Sequence, residues 1–281
     1  MDPTVARRTW RTLEPYHGLV YFAPEAAARY QALGVEGFHG YFASRAAAMG
    51  AVGPEVVVAT FLNFNPALVH AAIPAAWEAA APAGWIEARL EGIDAALRRC
   101  LGDDVVASAE VAEAAAVIRP AAEAVSTSVG SGRPLALAHA AVPRPNEPHL
   151  ALWHSITVLR EHRGDGHVSC LVEAGVDGCG ALVQHAASGD VPRAVLQRTR
   201  GWSDDDWDAA VERLAARGWV DDAGAFTPAG RAARDAIEQR TDELAAPPWA
   251  VIGEDACSLL RTLVRPLSKA IVAAGGLGVP G

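Results

Sequence analysis

Helical periodicity is the feature of this sequence that most constrains its fold. Apolar residues recur every three or four positions along most of the 281-residue chain, as at Ile86, Leu90, Ile93 and Leu97. Alanine, which has the highest helix propensity, is the strongest bias in the composition. The pattern therefore predicts a mainly α fold. One segment, residues 55–64, is rich in β-branched valine and fits a strand as well as a buried helix.

Loop-forming residues divide the chain in two. Pro, Gly and Ser are frequent at both ends of residues 126–148, which we predict to be a linker between a helical domain at 1–125 and a second domain at 149–281. Ser203 and Asp206 have the spacing of a capping pair, which predicts the start of a helix. The second domain is further predicted to contain, in order, a helix at 149–162, a turn at 163–166, helices at 167–174, 180–187 and 191–199, a hairpin at 219–227, and helices at 228–244 and 257–273.

The charge balance restricts the class of partner. The net charge is −9, which disfavours nucleic acid and anionic membranes, although a local basic patch would remain compatible with it. The four cysteines are widely spaced and are interpreted as reduced thiols. The apolar stretches are interrupted by Gly, Pro and Glu, and the N-terminus lacks an apolar signal segment. We therefore expect a cytoplasmic protein with no membrane partner.

The densest polar segment, residues 160–167, reads Arg-Glu-His-Arg-Gly-Asp-Gly-His. One interpretation is helix-end chemistry, in which the cations favour a helix C-terminus, Gly164 ends that helix and Asp165 caps the next. A second is a ligand or active site. A third is a metal site formed by His162, Asp165 and His167, although this spacing matches no particular metal. The sequence assigns neither a metal nor a cofactor.

Candidate site residues follow from side-chain chemistry. His162 and His167 are candidate catalytic acid–base groups, and Asp165 would orient one of them. Arginine offers a rigid fork for a carboxylate or phosphate. Helical spacing also places His154 and His162 on one face of their helix. The candidate ligand-binding residues are Tyr21, Arg45, Asn63, Asn65, His154, Arg160 and Arg163. For those outside the 160–167 segment, core packing or turn formation is the competing interpretation.

The second half resembles a known fold. Residues 211–220 (VERLAARGWV) and 226–230 (FTPAG) are similar to the recognition-helix end, wing and post-wing helix of MarR-type regulators. The resemblance covers about 150–245 and implies a winged helix-turn-helix fold. The whole chain also resembles uncharacterised actinobacterial proteins classed as helix-turn-helix, through YFASRA from Tyr41, ATFLNF from Ala59 and LREHRGDGH from Leu159.

Two short internal matches leave open whether the first half is a second winged helix: LGVEG at 33–37 matches AGVDG at 174–178, and residues 66–77 resemble residues 192–202. In that case, two tandem copies would form a pseudo-dimer within one chain. The sequence does not distinguish a monomer from a homodimer.

The acidic residues oppose the DNA binding that this resemblance implies. The start of the predicted recognition helix carries Asp204, Asp205, Asp206 and Asp208, which would face phosphates. We therefore predict a winged-helix scaffold that has lost or weakened DNA binding and binds a small molecule in a pocket between its halves. Its role would be sequestration, sensing or cofactor-free acid–base catalysis. The alternatives are a MarR-like transcription regulator and an enzyme that uses the residues at 160–167.

Overall fold

The computed structural model describes residues 1–35 and 37–277. Glu36, within the first internal match, and residues 278–281 of the predicted second domain lie outside the described residues. The described chain contains the following α-helices: α1 (Pro3–Gly18), α2 (Pro24–Ala32), α3 (Phe38–Ala46), α4 (Pro54–Thr60), α5 (Pro66–Ala72), α6 (Ala75–Ala79), α7 (Pro82–Leu101), α8 (Asp103–Val106), α9 (Ala109–Ala124), α10 (Pro134–Ala141), α11 (Pro148–Glu173), α12 (Gly178–Ala187), α13 (Arg193–Arg200), α14 (Asp204–Ala216) and α15 (Pro228–Ala273).

The mainly α prediction is confirmed. Residues 54–60 form a helix, which decides between strand and helix for that valine-rich segment. The predicted cap of α14 is present, because Ser203 accepts from the backbone N–H of Asp206 and the Asp206 carboxylate accepts from that of Ser203. Across the described residues, β pairing is limited to an antiparallel bridge between Val220 and Phe226, within the predicted hairpin.

Helix α11 corrects the prediction for the polar segment. It runs through the predicted turn at 163–166, so Gly164 does not end a helix and Asp165 does not cap one. Instead, the Asp165 carboxylate accepts a hydrogen bond from the N–H of Ala136 at 2.9 Å. A Cβ at Gly166 would lie 2.0 Å from a guanidinium nitrogen of Arg133. Tertiary packing against that side chain therefore overrides the low helix propensity of glycine.

Three further boundaries differ from the prediction. Residues 134–141, within the predicted linker, form helix α10. The sequence also predicts a helix over residues 66–80, which the structure divides into α5 and α6 around Pro74. In contrast, α15 continues through the predicted gap between 244 and 257, and its only non-helical residue is Gly253, with φ 79° and ψ 173°. Glycine readily adopts this conformation, which explains the kink.

The largest core cluster lies among α1, α7, α9, α11 and α15, and includes Leu152, Trp153 and Leu260. Helices from both sides of the predicted linker share this cluster, while the domain boundaries themselves stay a prediction. A second cluster surrounds Phe42 and Trp85. No helix in the described part of the chain has the length and apolar character needed to cross a membrane.

A separate cluster joins α12, α13 and α14, and the loop after α4 connects this unit to the rest of the protein. The Trp202 indole N–H donates to the carbonyl of Asn63 at 2.9 Å, and the N–H of Asn65 donates to the carbonyl of Arg200 at 2.9 Å. A Cβ at Gly178 would lie 1.9 Å from the carbonyl oxygen of Leu62. The loop backbone therefore directly contacts the first two helices of the unit.

Candidate functional site

A cavity of 990 Å³ lies between this three-helix unit and the N-terminal half. Helices α1, α11, α12 and α15 form its wall together with residues 60–64. Ligand sites in proteins span about 300–1,000 Å³, so the cavity could enclose a small organic molecule. Its charged side chains form two regions. The cation-rich region is Arg45, Arg160, Arg200 and Glu161, and the paired region is Arg7, Arg163, Arg234, Glu238 and Asp242.

Arg45 is the most buried cation of the cation-rich region, with 4% of its surface exposed. Its Nη2 donates to both carboxylate oxygens of Glu161, at 2.8 and 2.9 Å. Its Nη1 donates to the Tyr41 hydroxyl at 2.6 Å, and the guanidinium lies 4.3 Å from the ring centroid of Phe61. The Nε atom is buried and has no hydrogen-bond partner.

Glu161 is the carboxylate shared by two arginines. Arg160 Nη1 also donates to it, at 3.0 Å, while Arg160 Nε lies 3.5 Å from Glu14. Burial opposes ionisation of Glu161, but the positive charges of Arg45 and Arg160 outweigh that effect and hold its pKa well below the ordinary value. Glu161 is therefore ionised at neutral pH.

Arg200 lies at the C-terminus of α13. Its guanidinium is 4.6 Å from the ring centroid of Phe64, and its Nη1 donates to the Thr199 carbonyl at 3.3 Å. Its Nε is buried without a partner, and no acidic side chain of the described chain lies within ion-pair distance. Burial, and then the charges of Arg45 and Arg160, lower the Arg200 pKa. The guanidinium groups of Arg45, Arg160 and Arg200 therefore influence one another electrostatically, and the Glu161 carboxylate accepts hydrogen bonds from the first two.

In the paired region, Asp242 binds two arginines, and Glu238 lies within ion-pair distance of three. Asp242 accepts from Arg163 Nη1 at 2.7 Å and lies 2.6 Å from Arg7 Nε. Glu238 accepts from Arg163 Nη2 at 3.1 Å and pairs with Arg234 at 2.9 Å. The region connects α1, α11 and α15, and its geometry serves the packing of these helices.

The structure does not bring the three predicted catalytic residues together. His167 and Asp165 line the cavity, whereas His162 does not. Residues five positions apart on a continuous helix point about 140° apart, and His162 contacts the Val129 carbonyl through Nε2 at 3.1 Å. Burial lowers the pKa values of His162 and His167 to about 4 and raises that of Asp165 to about 6. Their catalytic role stays a prediction.

The metal interpretation of His162, Asp165 and His167 is wrong, because these side chains diverge around α11. The described residues contain no group of three or more His, Cys, Asp or Glu side chains placed to hold a metal ion.

The other predicted residues separate into two groups. Arg45, Arg160, Arg163 and Asn63 line the cavity, whereas Tyr21, Asn65 and His154 do not. Asn65 caps α5 by accepting from the N–H of Ala67 at 2.9 Å, as the turn interpretation predicts. Tyr21 lies 2.9 Å from Nε2 of the buried His17.

His154 and His162 share a face of α11, as predicted. His154 Nε2 contacts the His139 carbonyl at 3.1 Å, and His162 contacts that of Val129. Both histidines therefore hold the segment between α9 and α11 in place.

Sequence reasoning missed Arg200 and Glu161 as site residues, together with the rings of Phe61 and Phe64. Glu161 is the single acid between Arg160 and Arg163 in the polar segment. A lone carboxylate among cations is the sequence signal that could have identified Glu161 as a site residue. Arg200 had no such signal, because its cavity position depends on tertiary packing.

The exposed start of α14 is acidic and is already paired with the nearest arginine. Arg193 Nη2 donates to Asp204 at 2.8 Å and to Asp208 at 3.1 Å. This pairing engages a cation that could otherwise contact phosphate.

The described fold is thus a mainly helical protein with a three-helix unit, a one-bridge hairpin and a charged cavity between its halves. The chain belongs to a Helix-turn-helix family, whose sequence model matches residues 6–278. No curated protein and no solved structure matched the chain.

Proposed function

We propose that this protein binds a small organic ligand in the 990 Å³ cavity and that its helix-turn-helix unit has lost or weakened DNA binding. In this proposal, α12–α14 and the Val220–Phe226 bridge form a MarR-like winged helix. The observation that carries the proposal is the cavity itself, which combines aromatic walls with polar groups that lack partners. Such a mixture is typical of ligand sites.

The position of the cavity supports sensing or sequestration. Its wall includes α12 and Arg200 of α13 on one side, and α1 and residues 60–64 on the other. A bound molecule would therefore contact both the helix-turn-helix unit and the N-terminal half. The enzyme alternative would rest on His167 and Asp165, the two predicted catalytic groups that line the cavity.

A dye titration tests ligand binding. The probe is 1-anilinonaphthalene-8-sulfonate, whose fluorescence rises in apolar sites. Val168 lines the cavity, and Val168→Trp would fill part of it. Val172, one turn further along α11 and 63% exposed, supplies the matched control Val172→Trp. We expect saturable binding to the wild type and to Val172→Trp, and its loss in Val168→Trp with an unchanged circular dichroism spectrum. Equal binding by all three proteins, or by none, would refute the proposal.

DNA binding is the second candidate function, and family membership is the observation that favours it. The test is the fluorescence anisotropy of labelled promoter duplexes from the native genome, titrated with salt. We expect no saturable binding at about 0.15 M salt, because Asp204, Asp205 and Asp208 face outward at the start of α14. Saturable binding with a steep loss as salt rises would establish the regulator instead.

A further inference from the structure

We propose that the ligand of this cavity is an organic anion with a flat apolar body, and that its anionic group binds between Arg200 and Arg45. This inference rests on the proposed function and adds the chemical class of the ligand. Four observations in the cation-rich region support it: donors without partners, an excess of positive charge, the orientation of the guanidinium groups, and the contrast with the paired region.

The first observation is the pair of donors without partners. The Nε atoms of Arg45 and Arg200 are both buried and lack a hydrogen-bond partner, and both side chains line the same cavity. A buried donor on a charged group is costly when unsatisfied. An anion with two or three oxygens could accept from both groups, whereas a ligand cation could accept from neither.

The second observation is the local charge. Both oxygens of Glu161 already accept from Arg45, and one also accepts from Arg160. Glu14 faces Arg160, and burial raises its pKa. Asp165, one turn along α11 from Glu161, accepts from Ala136, and burial raises its pKa too. Arg200 therefore retains a positive charge that no carboxylate of the described chain neutralises.

The third observation is the stacking of the guanidinium groups on aromatic rings. Arg45 lies over Phe61 and Arg200 over Phe64, with centroid distances of 4.3 and 4.6 Å. Cation–π contact engages none of the N–H donors of a guanidinium group, so those donors stay available to an acceptor. The rings therefore fix both groups in place without consuming their donors. They also provide an apolar surface for a flat ligand.

The contrast with the paired region locates the anion. There, Arg163 donates to both Asp242 and Glu238, and each of these carboxylates has a second arginine partner. An anion in that region would meet two carboxylates, so repulsion favours the cation-rich region of the cavity.

The test compares two dyes of nearly equal shape. 1-Anilinonaphthalene-8-sulfonate carries one negative charge, and N-phenyl-1-naphthylamine carries none. The variants are Arg200→Met, Arg200→Lys, and the control Arg198→Met, which removes an exposed arginine from the same helix. We expect the wild type to bind the anionic dye at least about tenfold more tightly, and Arg200→Met to lose about tenfold for that dye alone. Arg200→Lys should fall between the two, and Arg198→Met should match the wild type.

The outcomes separate this inference from the proposed function. Equal affinity for both dyes, or an equal loss for both in Arg200→Met, would overturn the anion assignment while leaving a ligand cavity in place. A loss of anionic-dye affinity in Arg198→Met as large as in Arg200→Met would overturn it as well, since surface charge would then explain the binding. Dye binding that is insensitive to Val168→Trp would refute the cavity as a ligand site, and the inference with it.

Discussion

The two regions of the cavity use the same chemistry in different ways. In the paired region, Arg163 is satisfied by Asp242 and Glu238, and these contacts connect three helices. In the cation-rich region, no carboxylate among the described residues lies within ion-pair distance of Arg200, and the Nε of Arg45 has no acceptor among them. Buried arginines therefore serve structure where their donors are satisfied. Where a buried donor in the cavity wall lacks an acceptor, as at Arg45 and Arg200, the proposed function assigns the same residue type to recognition.

The largest expected effect is the loss of the carboxylate in the cation-rich region. Glu161→Gln would leave Arg45 buried without a counter-charge, and such a change costs about 3–5 kcal/mol of unfolding free energy. Urea denaturation measures it. Glu91→Gln removes one partner of the exposed Arg29–Glu91 pair and should cost less than about 1 kcal/mol. A comparably small loss in Glu161→Gln would show that Arg45 reaches water.

The paired region should affect stability without affecting recognition. Asp242→Asn weakens the charge-assisted hydrogen bond to Arg163 and removes the ion pair with Arg7, and we expect a loss of about 2–3 kcal/mol in urea denaturation. Affinity for the anionic dye should stay within about twofold of the wild type. A tenfold drop in dye affinity in the folded variant would contradict the division into two regions.

The stability of the protein is expected to vary with pH through His162, which lies outside both regions. Burial lowers the pKa of His162 from 6.5 to about 4, so between these values the unfolded chain binds a proton that the folded chain does not. The stability contributed by His162 is therefore present above pH 6.5 and lost as pH falls toward 4. We expect His162→Gln to remove about 1–2 kcal/mol of the loss between pH 7 and pH 5, measured by urea denaturation.

Asp165 acts in the opposite direction, because its folded pKa is raised to about 6 and its contribution falls as pH rises through that value. Asp165→Asn should therefore steepen the acid loss of stability. His70→Gln, at an exposed site, is the control and should leave the slope unchanged. A slope that His162→Gln does not alter would show that this side chain is protonated in the folded protein.

The smallest stability effect is expected at the residue assigned to recognition. Arg200→Met removes a charge without a carboxylate partner and keeps a side chain that can pack on Phe64, so its unfolding free energy should change by less than about 1 kcal/mol. Arg163→Met, the matched change in the paired region, should cost about 3 kcal/mol. If both variants lost the same unfolding free energy in urea denaturation, the two regions would not differ in their contribution to stability.

Local sequence features predicted local structure well. The mainly α fold, the cap formed by Ser203 and Asp206, and the shared face of His154 and His162 all follow from spacing along one helix. The prediction of a turn at 163–166 was wrong because glycine was interpreted by propensity alone, whereas Gly166 packs closely against the guanidinium of Arg133. Arg200 and Arg45 line the same cavity but are more than 150 residues apart in the sequence, so no local pattern predicts that they come together.

The loop from Leu62 to Asn65 has a mechanical consequence. Its backbone is hydrogen-bonded to Trp202 and Arg200 and lies against Gly178, while the rings of Phe64 in the loop and Phe61 before it contact the two arginines. In the proposed function, a molecule that displaces these rings would disturb the loop backbone and its two hydrogen bonds, to Arg200 and Trp202. In the proposed function, occupancy of the cavity would therefore be transmitted through this loop to the three-helix unit.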